Sequence, residues 1–326
     1  MIIDICEQAN VQTYNFERIT QFLGQNIITK NKVIDSVAKY FSSDKYAEWE
    51  NKPNLIYKGE EIGRKYFATI LIDNRNDLIN QIRNLKTGII IKLIKNALNE
   101  FDYQNSMERI NDELIKIFTD LENDIFDDIG NLSIGFEREG LLDIVQKTYI
   151  ETKDSKHLEE LETIELLNIF SNALVRLQKF EPAKVMVIFK NIDHILDSNN
   201  YNIFMKKLKE IAEITDSWFL ISASLDGYCF IDGEYIEGIA VFNDVVFNMP
   251  DIEHLNKFLI NNYPYNINEE ENIVDIIEKV IPLIGKKTVF LSYDEMVAVK
   301  LINDTVEIKN ILEKPLNSMV SAFLSA

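Results

Sequence analysis

Two apolar runs, VMVIF at 185–189 and WFLISAS at 218–224, constrain the fold of this chain more than any other feature. Each reads as a strand buried within a sheet. Between them, NYNIFMKKLKEIAEI carries the apolar period of an amphipathic helix. Strand, helix and strand in that order need a crossover, which places the two strands parallel in one sheet. The class predicted is therefore α/β.

Other segments fill in the plan. KYFATILID (65–73) is a strand that stops at Asp73 and Asn74, and residues 1–41 suggest one or two strands, a loop and a helix from about Lys30 to Phe41. In that helix Val33, Ile34, Val37, Ala38 and Phe41 share a face. From Asn74 to about Phe180 the pattern is mostly helical: NDLINQIRNL, IIIKLIKNALNEF, SMERINDELIKIFTDLENDIF and GLLDIVQKTYIE, with a short strand candidate at LSIGF (132–136). A long helix over 155–180 has Leu158, Leu161, Leu166, Ile169, Phe170, Ala173, Leu174 and Leu177 as its core stripe. GYCFIDG and IAVFNDVVFN supply further strands. After Pro250, helices are predicted near 251–261, 270–281 and 293–302, with a strand at TVFL (288–291). The organisation expected is an α/β core of 1–72 with 181–249 and a mostly parallel sheet, a helical insertion lobe at 73–180, and a small C-terminal α/β extension at 250–326.

The first strand-to-helix turn holds the most suggestive motif. Against the phosphate-cradling pattern G-x-x-x-x-G-K-[ST], Gly24 to Asn31 reads GQNIITKN. Gly24 and Lys30 fit. Thr29 replaces the second glycine, and Asn31 replaces the hydroxyl that holds magnesium. A nucleotide hydrolase also needs a buried strand ending in carboxylates. KVMVIFKNIDHIL has that outline but carries Lys190 and Asn191 where the carboxylates belong. The motif is thus present in shape and altered in chemistry: a degenerate nucleotide loop, with an ordinary strand–loop–helix turn as the competing reading.

No other catalytic set emerges. His157, His194 and His254 are isolated, and Ser222 and Ser224 lack the nucleophile-elbow glycines. Cys6 and Cys229 make no metal spacing and are expected to stay reduced in a cytoplasm. With neither a leader pattern nor a long apolar run, the protein is expected to be soluble and cytoplasmic, with no membrane partner. The formal charge of −19 argues against broad attraction to nucleic acid, while leaving room for a local basic surface.

The order of these elements resembles the Csn-two family, the CRISPR-associated adaptation proteins of type II-A systems. It begins with the altered loop and the acidic helical middle, then LSIGFEREGLLDIVQKTYIE and a long helix. VMVIFKNIDHIL, a helix and SWFLISASLDGYCFID complete it. The likeness covers roughly residues 1–235, and residues 250–326 mark a long form. The resemblance implies a phosphate-loop-like core with no ATPase activity and no required cofactor. It also implies a homotetrameric ring that binds free ends of double-stranded DNA and supports spacer acquisition. The partners implied are the two CRISPR integration proteins and the RNA-guided effector nuclease.

Family members often use structural calcium to hold the ring. The corresponding regions here are DLENDIFDD and the turn GFERE, where Glu137 and Glu139 are the ligand candidates. Glu122, Asp124, Asp127 and Asp128 on a helix also read as a solvated face. If DNA threads a ring, basic residues must face it. The candidates are Arg64, Lys65, Arg83, Lys86, Lys92 and Lys95, with a second cluster at Lys206, Lys207 and Lys209. Plain surface charge is the competing reading for each. Two other functions stand beside the DNA ring: an ATPase subunit using Lys30, and a pseudo-ATPase scaffold that binds only proteins.

Overall fold

The computed structural model describes residues 2–7, 10–48, 52–83, 85–98, 101–126, 132–138, 140–225, 228–231, 234–243, 246–264, 276–277, 279–284, 291–305, 319 and 322–323. The chain forms two compact units, Met1–Arg75 with Ala183–Ala326, and Asn76–Pro182.

The first unit is built on a six-stranded sheet. Its strands are β3 (Ile19–Leu23), β6 (Ala68–Ile72), β7 (Val185–Phe189), β8 (Ser217–Ser222), β9 (Ile239–Phe242) and β10 (Val246–Asn248), in the order β10-β9-β3-β8-β7-β6. All neighbours are parallel except the β9–β10 hairpin. The parallel pair predicted from the two apolar runs is β7 beside β8, with Val187 opposite Phe219. Every residue of β3, β7 and β9 is buried, which is why β7 and β9 read as unbroken apolar runs rather than alternating ones, while β3 carries the buried polar pair Thr20 and Gln21. Helix α1 (Ile27–Phe41) follows β3 and buries the predicted face of Val33, Ile34, Val37, Ala38 and Phe41. The helix between β7 and β8, α7 (Ser198–Ile214), is capped by Asp197, whose carboxylate accepts from the amides of Asn199 and Asn200.

A second, antiparallel sheet orders β1 (Ile2–Glu7), β2 (Asn10–Asn15), β4 (Asn54–Tyr57) and β5 (Glu60–Glu61) as β2-β1-β4-β5. The N-terminal segment thus holds three strands where one or two were expected, and two of them belong to this separate sheet. Aromatic rings join the two sheets: Tyr14 of β2 stacks on Phe242 of β9 at 5.8 Å and lies 5.5 Å from Phe22 of β3. Each such pair adds about 0.5–1.5 kcal/mol beyond the area it buries.

Toward the C-terminus, α8 (Ile252–Asn262) and α9 (Tyr293–Thr305) match the helices predicted near 251–261 and 293–302. Of the helix predicted at 270–281, residues 276, 277, 279 and 280 are helical, and the others before Ile281 lie outside the described residues. Of TVFL, residues 288–290 also lie outside them.

The second unit is helical, with α2 (Arg75–Ile82, from Asn76 onward), α3 (Ile89–Leu98), α4 (Phe101–Phe126), α5 (Leu141–Gln146) and α6 (Thr163–Phe180). Helix α3 packs against α4, α5 and α6. The long helix predicted over 155–180 begins only at Thr163, because Glu162 and Glu165 form a reciprocal capping box there.

Two strand expectations fail, for the same physical reason. LSIGF carries no strand, since the Ile134 amide donates to the Glu122 carboxylate and Phe136 packs on Phe118. Of GYCFIDG, residues 228–231 carry no strand. The Phe230 amide and carbonyl are both taken by the side-chain amide of buried Gln21. In each case a side chain supplies the partner that a neighbouring strand would have given.

Candidate functional site

The turn from β3 into α1 lies at the carboxyl edge of the parallel sheet, where open α/β sheets bind ligands. Gly24 has φ +93°, and a Cβ there would collide with the Phe242 carbonyl oxygen. Only glycine lets the loop lie this close against the end of β9. The loop amides that a phosphate would need are already engaged. The Gln25 amide donates to Asn243 Oδ1 (3.0 Å), the Asn26 amide to the Phe242 carbonyl (2.9 Å), and the Thr29 amide to Asn26 Oδ1 (3.1 Å). Asn26 Nδ2 donates to the Asn243 carbonyl (2.9 Å), and Asn243 Nδ2 donates to the Ile284 carbonyl (2.7 Å). The end of β9 and Asn243 therefore hold the turn, and Asn26, Thr29 and Asn243 also line an open cleft of about 450 Å³.

Lys30 points into the protein. It is fully buried, and its Nζ donates to the carbonyls of Gly24 (3.0 Å) and Ala223 (2.5 Å) and to Ser224 Oγ (3.0 Å). An ammonium has three donors and no acceptor, so these three oxygens match its capacity. They also meet the condition under which a buried charge is tolerated. Thr29 is half-buried in the first turn of α1. Asn31 Oδ1 is buried without a protein partner among the described residues.

The turn after β7 is held just as firmly. Lys190 Nζ pairs with Asp35 Oδ1 of α1 at 2.8 Å and is 14% exposed. Asn191 adopts a left-handed conformation (φ 53°), with its amide on Ser222 Oγ (2.9 Å) and its Nδ2 3.4 Å from Asp73 Oδ1. The Ser224 amide donates to Asp193 Oδ2 (3.0 Å), leaving Asp193 Oδ1 buried without a protein partner among the described residues. Lys30 and Lys190 thus lie at the turns that follow β3 and β7, at the carboxyl ends of two parallel strands.

The basic candidates have separate fates. Arg64 closes the end of α1: its guanidinium donates to the carbonyls of Tyr40, Ser42 and Asp44 at 2.9, 2.7 and 2.6 Å and stacks over Tyr46. That closes the helix C-terminus: it satisfies the Tyr40 carbonyl that α1 leaves open and ties down Ser42 and Asp44 just beyond it. Arg83 forms an ion pair with Glu159. Lys209 lies between Glu213 (3.9 Å) and Glu234 (3.7 Å), and burial pulls the Lys207 ammonium below the usual lysine pKa range. Lys65, Lys86, Lys92, Lys95 and Lys206 are exposed, and Lys92 and Lys95 share a face of α3.

Glu137 is exposed, whereas Glu139, Asp127 and Asp128 lie outside the described residues. Glu122 accepts from the Ile134 amide. Among the described residues no three His, Cys, Asp or Glu side chains converge as metal ligands.

Sequence reasoning misses one feature of the helical unit. On α4, Tyr103, Ile110, Ile117, Leu121 and Ile125 form a continuous stripe along about 33 Å of helix, and each is 40–53% exposed. Their intervals of seven and four are the available signal. It stays hidden when the segment is read only for helix content and acidity.

Matches to known proteins agree with this architecture. The family model for CRISPR-associated protein Csn2, subfamily St, matches residues 8–314. Among curated proteins nothing matches. The crystal structure of Stu0660 of Streptococcus thermophilus superposes with a TM-score of 0.85 at 21% identity, covering 99% of this chain and 100% of that one, so the two share a fold. The SMC head domain from Thermotoga maritima has a TM-score of 0.37 at 13% identity, covering 76% of this chain and 98% of its own. The Smc head domain from Pyrococcus furiosus, with an extended coiled coil and bound to the C-terminal domain of ScpA, has a TM-score of 0.41 at 14% identity, covering 80% and 98%. Scores of that size do not establish a shared fold. The family model spans nearly the whole chain, and the protein belongs to the CRISPR-associated Csn2 family, subfamily St.

Proposed function

We propose that this protein is a non-catalytic, sequence-independent binder of double-stranded DNA ends, acting as a homotetrameric ring in spacer acquisition. Its core is then a phosphate-loop hydrolase scaffold whose loop has become structural. The observation that carries the non-catalytic reading is the engagement of the turn's donors: phosphate binding at a helix N-terminus needs free amides and, in this motif, an accessible lysine. Here Asn243 and Phe242 take those amides, and Gly24, Ala223 and Ser224 take Lys30.

Assembly is supported by the α4 stripe, since a long exposed apolar face on a helix favours association. DNA contact falls to exposed lysines such as Lys86, Lys92 and Lys95 of the helical unit, acting on phosphates. The two integration proteins and the RNA-guided nuclease are the proposed partners, and no cofactor is required. Structural calcium at Glu137 and Glu139 would act on assembly alone.

The deciding experiment compares linear with covalently closed duplex of equal length, with and without ATP, across a salt series. Tight binding to the linear form only, indifferent to ATP and falling with salt, is expected. Equal binding to closed circles refutes end recognition. No binding to either form would leave a protein scaffold, and ATP hydrolysis lost on Lys30→Ala would restore an ATPase.

A further inference from the structure

The helical unit contains a cleft of about 300 Å³ that none of the roles above uses. It is lined by Arg83, Leu85, Gln146, Thr148, Tyr149 and His157, among others. A tight turn builds it. Glu151 bridges to His157, the Thr152 amide donates to the Lys156 carbonyl (3.0 Å), and Ser155 at φ 60° reverses the chain. The closed turn brings the Tyr149 and His157 rings within 6.4 Å of each other. Leu158, 3% exposed, contributes a buried apolar part of the lining. Tyr149 is 75% exposed, so most of its ring meets solvent.

We propose that this cleft takes an unpaired nucleobase at the end of a DNA strand. The proposal rests on the duplex-binding reading above and adds which part of the end is recognised. The chemistry of the lining matches a base. An exposed ring face suits stacking by any base. The Gln146 amide offers both a donor and an acceptor. The Thr148 hydroxyl donates to the Val145 carbonyl, and a hydroxyl that donates can also accept. That mixture fits the edge of a heteroaromatic ring, whereas an aliphatic side chain would bury it for no return. The cleft's volume falls at the small end of the range for ligand pockets, about 300–1,000 Å³. Exposed Lys86 and Lys147 flank it in sequence and suit the attached phosphates. A base inside a paired duplex cannot present its face, so only frayed or overhanging ends qualify.

The test uses the full chain and three labelled duplexes: blunt, 3′-overhanging and 5′-overhanging, with 2-aminopurine at the unpaired position. One overhang polarity should bind roughly tenfold tighter than the blunt end, with quenched 2-aminopurine emission. Tyr149→Ala should abolish that difference and the quenching, so that this variant binds all three duplexes alike. Tyr149→Phe should retain both, because it keeps the ring. Equal binding of all three duplexes, or an overhang preference intact in Tyr149→Ala, overturns the cleft assignment and leaves the duplex reading standing. Absence of binding to every duplex overturns both. Saturable binding of free indole that Tyr149→Ala removes, without any 2-aminopurine quenching, would give the cleft to an aromatic side chain of a partner protein instead.

Discussion

Replacing Lys30 separates a structural lysine from a nucleotide-binding one. Lys30→Met keeps most of the side chain's volume and removes only its three donors. The carbonyls of Gly24 and Ala223 are then left without this partner, while Ser224 Oγ, less deeply placed, can turn elsewhere. Each stranded buried acceptor costs about 1–3 kcal/mol, so the two together should cost about 3–4 kcal/mol. For a domain of about 150–250 residues each kcal/mol lowers Tm by about 2–4 °C, which gives a fall of roughly 10 °C. Differential scanning calorimetry reads this directly, and millimolar Mg-ATP should leave both proteins' melting unchanged. A loop that bound nucleotide would behave in the opposite way. Ligand at a hundred times its Kd would stabilise the wild type by about 2.7 kcal/mol, and the substitution would erase that gain. A Lys30→Met protein melting within about 2 °C of wild type, by the same scale, would refute the buried-clip account.

Four further outcomes can be checked together. Gly24→Ala, whose Cβ would collide with the Phe242 carbonyl at a positive φ, should lower stability by more than about 2 kcal/mol in urea titration. Arg64→Ala should cost about 1–2 kcal/mol by uncapping α1, and duplex affinity in fluorescence anisotropy should not change. The pair Lys92→Gln and Lys95→Gln should do the reverse, leaving Tm unchanged and reducing the slope of log K against log salt by about 0.9 for each phosphate no longer neutralised. Burial, with Glu61 beside it, pushes the Tyr40 hydroxyl up to about 12 from its ordinary 10.0. Its folded pKa is raised, so its contribution is complete below pH 10 and is lost as pH rises through 12. The stability gap between wild type and Tyr40→Phe should therefore shrink across that window in thermal melts.

The parallel core was legible because β7 and β8 are buried on both faces, leaving apolar runs with a helix between them. The alternation-poor β7 and β8 revealed both their class and their direction. LSIGF and GYCFIDG misled because their apolar letters satisfy a strand pattern, while the actual partners are Glu122, Phe118 and Gln21. No local window contains such long-range side-chain partners. The altered turn was found from Gly24 and Lys30, yet the residue that holds it, Asn243, lies far along the chain and carries no motif. Arg64 and Lys65 are adjacent letters of one basic pair, but folding turns Arg64 onto α1 and leaves Lys65 exposed. Charge was readable; its assignment to a helix end was not.

The register of β3 has a consequence in the time domain of synthesis. Ile19 pairs with Phe219, and Gln21 with Ile239, so this wholly buried strand finds its neighbours only after roughly 200 more residues exist. At about 5–20 residues per second, β3 waits on the order of 10–40 s beside the ribosome. The helical unit, whose contacts are local, emerges and can condense during that interval. The nascent chain thus leaves β3 without its sheet partners longest, and a holding chaperone would act there before β8 arrives.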